Sequence, residues 1–115
     1  MAELKELTTS QDLEAALEES CRRKVLIFKH STQCPISAHA WQEVRNYIQQ
    51  TSDDVQVAMI KVIESRSVSN QAAKDLGVKH ESPQVILLNN KNVVWHTSHQ
   101  AITLINLIQA LNNKY

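Results

Sequence analysis

Cys34 stands directly before Pro35 in the stretch "FKHSTQCPISAHAW", and Ser37 occupies the place where a second cysteine would complete a C-x-x-C pair. Pro35 suits the first position of a helix, where no backbone N–H partner is required. That puts Cys34 at a helix N-terminus, where free N–H groups and the helix dipole favour an anion. The thiolate is the attacking form in disulfide exchange. Ser37 can offer a hydroxyl and a backbone N–H to the sulfur, but it cannot form a disulfide with it. The expected chemistry is exchange through one sulfur, with no internal resolving step. The plainer reading of a free cysteine is a buried structural thiol. The order strand, loop, Cys-Pro, helix opposes that reading here.

Further candidates lie along the chain. In "VKHESPQVILLNNK", Pro83 begins a run of strand formers, a position where proline breaks no ladder. A cis bond between Ser82 and Pro83 would expose the Ser82 backbone to an extended partner. Pro83 taken alone reads as an ordinary trans proline at a strand start. His30 and Cys34 give H-x-x-x-C, and His39 follows. A structural zinc site needs about four ligands, and no second cluster accompanies these, so no metal is expected. His30 lies close enough in sequence to adjust the sulfur, although a solvated loop histidine is the commoner case. His80 and His96 receive no role. Cys21 falls four residues after Leu17 on an apolar helical face and reads as structural. Trp41, at helical spacing, reads as core.

These residues need a scaffold that brings distant segments together. "KELT" is a short candidate strand. "SQDLEAALEESC" is an amphipathic helix with Ser10 as N-cap. Arg22 and Arg23 then suit its negative pole. "KVLIFK" is a continuous apolar run, as in a strand covered on both faces. The helix from Pro35 buries Ala38, Trp41, Val44 and Ile48. "VQVAMIKVI" is a second central strand. "SVSNQAAKDLG" is a helix closed by Gly77, where positive φ is useful. "QVILL" and "VVWHT" flank "NNKN" as a hairpin. "SHQAITLINLIQALNN" is a final helix capped by Ser98. The order β-α-β-α-β-α-β-β-α implies crossovers and a parallel core with an antiparallel edge. The fold class is α/β, a central mixed β-sheet flanked by helices on both faces.

Composition narrows the function classes. The chain has 115 residues, with 12 Lys+Arg against 12 Asp+Glu and a net charge of zero. This is the size of one domain spanning residues 1–115. No basic stripe points to nucleic acid or an anionic membrane. No apolar run approaches a membrane span, and "MAELKELTTSQ" lacks the order of a signal peptide. A cytoplasmic protein is expected. Two cysteines are too few for a disulfide scaffold.

"QCPIS", "ESPQVILL" and the terminal hairpin and helix together resemble the thioredoxin fold, over nearly the whole chain. Cys-Pro-x-Ser resembles the glutaredoxin motif Cys-Pro-x-Cys with its second cysteine replaced. "FKHSTQCPIS", "HESPQVILL" and "SHQAI" are more closely similar to the monothiol bacilliredoxin family. That family usually carries Thr-Cys-Pro-Ile-Ser, whereas Gln33 precedes the cysteine here. The resemblance implies Cys34 as nucleophile and Pro83 as a cis-proline, with Pro35, Ser37 and Ser82 supporting. It implies a protein cysteine capped by bacillithiol, a thiol carrying a sugar and malate, as substrate. Bacillithiol is then a co-substrate, and no metal or organic cofactor is required. The expected partners are bacillithiolated proteins and a low-molecular-weight thiol that frees Cys34, with no nucleic acid and no membrane. A monomer is expected.

Glutaredoxins follow the hairpin with Gly-Gly and an Asp that hold glutathione. The corresponding "WHTSHQAI" has neither. Ser98 and His99, read as the start of the last helix, are candidates to receive the malate carboxylates. A plain N-cap beside a solvated histidine is the competing reading of the same pair. Two alternatives to bacillithiol chemistry remain. One is the same exchange with glutathione, opposed by the missing Gly-Gly and Asp. The other is a non-catalytic protein that holds an iron–sulfur cluster with a small thiol. Monothiol glutaredoxins with Cys-Gly-Phe-Ser do this, and Pro35 and Ile36 depart from that motif.

Overall fold

Val25–His30 forms β2, and all six of its residues are buried. The computed structural model, which describes residues 2–115, makes β2 the middle of a five-stranded sheet. The strand order is β1-β3-β2-β4-β5, with β1 at Glu3–Glu6, β3 at Gln56–Lys61, β4 at Gln84–Asn89 and β5 at Asn92–Ser98. β1 and β2 both run parallel to β3, whereas β4 runs antiparallel to β2 and to β5. The mixed sheet expected from the element order is therefore present.

Alternation along β2 explains the layers. Val25 and Ile27 face α1 (Ser10–Glu19) and α3 (Arg66–Leu76), among Leu13, Ala16, Val68 and Ala72. Leu26 and Phe28 face α2 (Pro35–Gln50) and α4 (Leu104–Asn112), among Ala40, Val44, Tyr47 and Leu107. Burying each such aliphatic or aromatic side chain stabilises the fold by about 2 kcal/mol. β2 is thus held from both sides, and what its last residues do is fixed in space. Among the described residues, no helix is long and apolar enough to cross a membrane.

Several expectations need correction. The first strand is Glu3–Glu6, because the Leu7 N–H and Glu3 N–H bond to β3 and its approach. Thr9, not Ser10, caps α1: its hydroxyl accepts from the Asp12 N–H at 3.1 Å, and Asp12 reaches back to the Thr9 N–H. This is a capping box with Asp in the third position. α1 ends at Glu19, so Cys21 lies beyond it and is exposed. Ser20 takes the buried place, and it accepts the Asn90 and Lys91 N–H groups through its carbonyl and hydroxyl. Cys21 is therefore not a core thiol. Arg23 serves a wider network than the helix pole, with Glu19, Asp54 and Glu3 as partners.

α2 is rotated relative to expectation. Ser37, Ala40, Val44 and Tyr47 are its buried residues, Trp41 and Ile48 are half-buried, and Ala38 is exposed. The helix turns Ser37 inward because its hydroxyl has partners there. The last helix also starts later than expected. Ser98 ends β5, His99–Ala101 is a single 3₁₀ turn, and Thr103 caps α4 by accepting the Asn106 N–H at 3.2 Å. Gly77 closes α3 at φ 67°, as its type suits. Asn90 and Lys91 both have positive φ in the two-residue hairpin turn, the requirement of a type I′ turn.

Candidate active site

Cys34 is the N-cap of α2, with φ −109° and ψ 124°, and Pro35 is its first residue. The Ala38 N–H donates to the Cys34 carbonyl at 2.9 Å, which fixes the cap. The Cys34 side chain makes no capping hydrogen bond, and the residue is half-buried. The thiol is thus uncommitted, at the end of a helix whose dipole favours negative charge. Ile36 beside it is 40% exposed, so apolar surface adjoins the thiol.

Ser37 has a different task from the one expected. It is fully buried, and its hydroxyl lies 2.7 Å from His30 Nδ1 and accepts the Ser31 N–H at 2.9 Å. The hydroxyl proton is then free to go to Nδ1. This ties the first turn of α2 to the last residue of β2 and to the loop after it. His30 is correspondingly no solvated loop residue: it is buried, and it stacks on Phe28 at 5.3 Å between ring centres. Burial pushes its pKa below the ordinary imidazole value, Lys61 lowers it further, and Glu64 opposes them. Burial thus favours the neutral ring, as an acceptor of the Ser37 proton should be. Trp41 extends the stack, 5.9 Å from Phe28, with the Arg45 guanidinium 5.8 Å from its ring centre. Trp41 also walls an open cleft of about 440 Å³ with Leu4, His30, Thr32, Met59 and Lys61. It is part core and part surface.

The second half of the site comes from β4. The Ser82–Pro83 peptide is cis, and Pro83 is buried. Lys29 pairs with Gln84 in the β2–β4 ladder. Pro83 therefore lies one step beyond that pair, level with His30, at the end of the sheet that carries Cys34. The His99 N–H donates to the Pro83 carbonyl at 3.0 Å, so the 3₁₀ turn is bound to the same point. The Ser82 hydroxyl is buried without a hydrogen-bond partner among the described residues. The structure thus groups His30, Cys34, Pro35 and Ser37 on one segment, and Ser82, Pro83, Ser98 and His99 on another.

Glu81 changes the reading of Ser98 and His99. A hydrogen bond from Ser98 holds the Glu81 carboxyl below the usual carboxylate range, and His99, Lys79 and His96 act in the same direction. Ser98 and His99 are not a helix N-terminus, and they face an acid from the loop before Pro83. An acid from the segment before Pro83 thus lies beside Ser98, a neighbour that sequence order alone does not give.

Sequence reasoning also missed Lys29. Its side chain is fully buried, on the face of β2 opposite His30. Its Nζ donates to the Ser69 carbonyl at 3.0 Å and to His80 Nδ1 at 3.1 Å. A lysine ending an apolar run was the available signal. Among the described residues, no group of three or more His, Cys, Asp or Glu side chains is placed to hold a metal.

Comparison with known proteins agrees with this geometry. The family model described as monothiol bacilliredoxin BrxC matches residues 5–107. A solved protein described as "a putative oxidoreductase with a thioredoxin fold" is 33% identical, with a TM-score of 0.84, covering 93% of this chain and 92% of that one. Thioredoxin from Fasciola hepatica is 17% identical at a TM-score of 0.73, covering 93% of this chain and 95% of that one. Mitochondrial thioredoxin 3 from Saccharomyces cerevisiae is 18% identical at the same TM-score, covering 94% and 92%. The last two are similar in fold alone.

Proposed function

The chain belongs to the monothiol bacilliredoxin family and has the fold of a thioredoxin-like oxidoreductase, and we propose that it removes bacillithiol from protein mixed disulfides through Cys34. The observation that carries this reading is the pairing of a half-buried, uncommitted Cys34 at the α2 N-cap with a Ser37 whose hydroxyl is committed to His30 and Ser31. The Cys34 thiolate attacks the bacillithiol sulfur of the mixed disulfide. Its electron pair forms the new S–S bond, and the pair of the old bond leaves with the protein sulfur as a thiolate. Cys34 then carries bacillithiol. With no thiol at position 37, a second low-molecular-weight thiolate attacks that adduct, which regenerates Cys34 and forms a small-molecule disulfide. A reducing cytoplasm is the compartment in which this cycle runs.

A second reading has one observation in its favour. Glutathione presents an ammonium group, and Glu81 beside Ser98 supplies a carboxylate that could pair with it. Intact-mass spectrometry tests both. Reduced protein is mixed with one substrate protein capped with bacillithiol or, in parallel, with glutathione. A bacillithiol adduct on Cys34 with a freed substrate thiol is expected. A preference for glutathione would transfer the assignment to the second reading, and no adduct from either would remove the exchange altogether.

A further inference from the structure

β2 ends in two polar residues that point to opposite faces. His30 grips the helix that carries the thiol, through Ser37. Lys29, its neighbour, grips the opposite side. We propose that Lys29 is a positioning residue, which clamps the 79–83 segment through His80 and so sets Ser82 and Pro83 against the Cys34 helix. The proposal rests on the exchange reading above, because it names what holds the second half of that site.

The geometry supplies each link. Lys29 is fully buried, and no carboxylate among the described residues pairs with it. The ammonium is held by the Ser69 carbonyl of α3 and by His80 Nδ1. Because the ammonium donates, Nδ1 must be the unprotonated ring nitrogen, with the proton on Nε2. The Ser69 hydroxyl also approaches Nδ1, at 3.3 Å. His80 is exposed on its outer side, so solvent protons reach its ring. Two residues later come Ser82 and Pro83, and the Gln84 amide donates back to the Lys79 carbonyl at 2.9 Å. Lys29 and Gln84 are themselves partners in the ladder. The loop is thus pinned at both ends to one rung of the sheet, and its central pin is Lys29.

One added proton breaks the clamp. A charged His80 would turn an N–H toward the ammonium, setting donor against donor. The charged groups acting on His80 are Lys29 and Arg66, which oppose its protonation, and Glu81, which favours it. Burial, the larger influence, also pushes its pKa below the ordinary value. The clamp is therefore closed at neutral pH and opens in acid.

Two rates separate positioning from an effect on the sulfur. Iodoacetamide alkylation of Cys34 needs the thiolate but no docked disulfide, whereas exchange needs both. The ratio of exchange to alkylation cancels the titration of the thiol. In Lys29→Met this ratio is expected to fall on the order of tenfold to a hundredfold, the scale of a misplaced reacting group. In the native protein the ratio should fall as His80 gains its proton, and His80→Asn, whose Oδ1 accepts at every pH, should remove that acid fall. Equal losses in both rates in Lys29→Met would overturn the proposal. So would an unchanged ratio.

A readout independent of activity keeps the two claims apart. In ¹⁵N relaxation measurements, residues 79–82 should lose order in Lys29→Met, and the His80 ring should titrate closer to an ordinary imidazole. If exchange is absent in the native protein while these changes appear, the functional reading fails and the clamp stands. If neither the order nor the His80 titration changes, the clamp itself is refuted.

Discussion

Replacing Lys29 with methionine should stabilise the protein at neutral pH and reverse sign in alkali. Burial holds the Lys29 ammonium down from 10.5 to about 8. At about 1.36 kcal/mol per pKa unit, the folded state bears a penalty of about 3 kcal/mol for the charged form. Between those two values the unfolded chain binds more protons than the folded one, so stability rises with pH across that window. The penalty is full below the folded value and absent above the unfolded one. Methionine fills nearly the same volume and never titrates. It loses two hydrogen bonds, to Ser69 and His80, worth about 1 kcal/mol each. A neutral lysine amine keeps both bonds, so this loss does not vary with pH. The net expectation is a variant about 1 kcal/mol more stable at pH 7 and about 1 kcal/mol less stable near pH 10. Urea unfolding of both proteins at each pH unit from 7 to 10 measures the gap, and ionisations common to both cancel in the difference. A gap that stays constant within about 0.5 kcal/mol, the error of additive comparison, would refute a buried, proton-poor Lys29. The same variant is expected to exchange slowly, so any loss of activity is not loss of fold.

Other perturbations probe the rest of the site. Ser37→Ala leaves His30 Nδ1 and the Ser31 N–H without their partner, and thermal or urea unfolding should show a loss of about 2 kcal/mol; an unchanged midpoint would deny the buried bond. Acid should destabilise the native protein as pH falls below the ordinary imidazole range, because His30 and His80 are both held low by burial and the unfolded chain takes up protons the folded one refuses. His80→Asn should flatten part of that acid slope, measured by midpoint against pH between 5 and 7. Glu81→Gln removes the carboxylate beside Ser98 and should raise KM for a glutathione-capped substrate by about two- to fivefold, an exposed charge contact's worth, with kcat unchanged; no change in KM would remove the acid from ligand binding.

The features legible in the sequence were those decided within a few residues. Pro35 marks a helix start by its fixed φ and missing N–H. Gly77 and the two-residue hairpin turn depend on left-handed backbone at single positions. The run Val25–Phe28 had no polar residue with which to face water. What escaped depended on which face a side chain takes or which distant strand it meets. Ser37 and Ala38 differ by one residue, yet a helix turns about 100° between them, and the His30 bond decides which goes inward. Glu81 meets Ser98 only through the β4–β5 register, which also carries a shift at Leu87/Leu88. Cys21 looked like a continuation of an apolar face, but α1 stops at Glu19 and Ser20 takes the buried place.

Lys29 and His30 show why β2 matters beyond its role as core. A strand sends successive side chains to opposite faces, so one dipeptide can hold two jaws that share no side-chain contact. His30 fixes the nucleophile's helix through Ser37, and Lys29 fixes the 79–83 segment through His80. Neither jaw needs the other if the strand between them is rigid, and β2 is buried throughout and laddered on both edges. A double-mutant cycle on the exchange rate examines that rigidity. Ser37→Ala and Lys29→Met should each slow exchange, and their effects should add within about 0.5 kcal/mol, as for sites without shared partners. A coupling above about 1 kcal/mol would mean that the strand end moves as a unit when either latch is cut. The site would then be set by the mobility of β2's last two residues rather than by two independent attachments to a fixed frame.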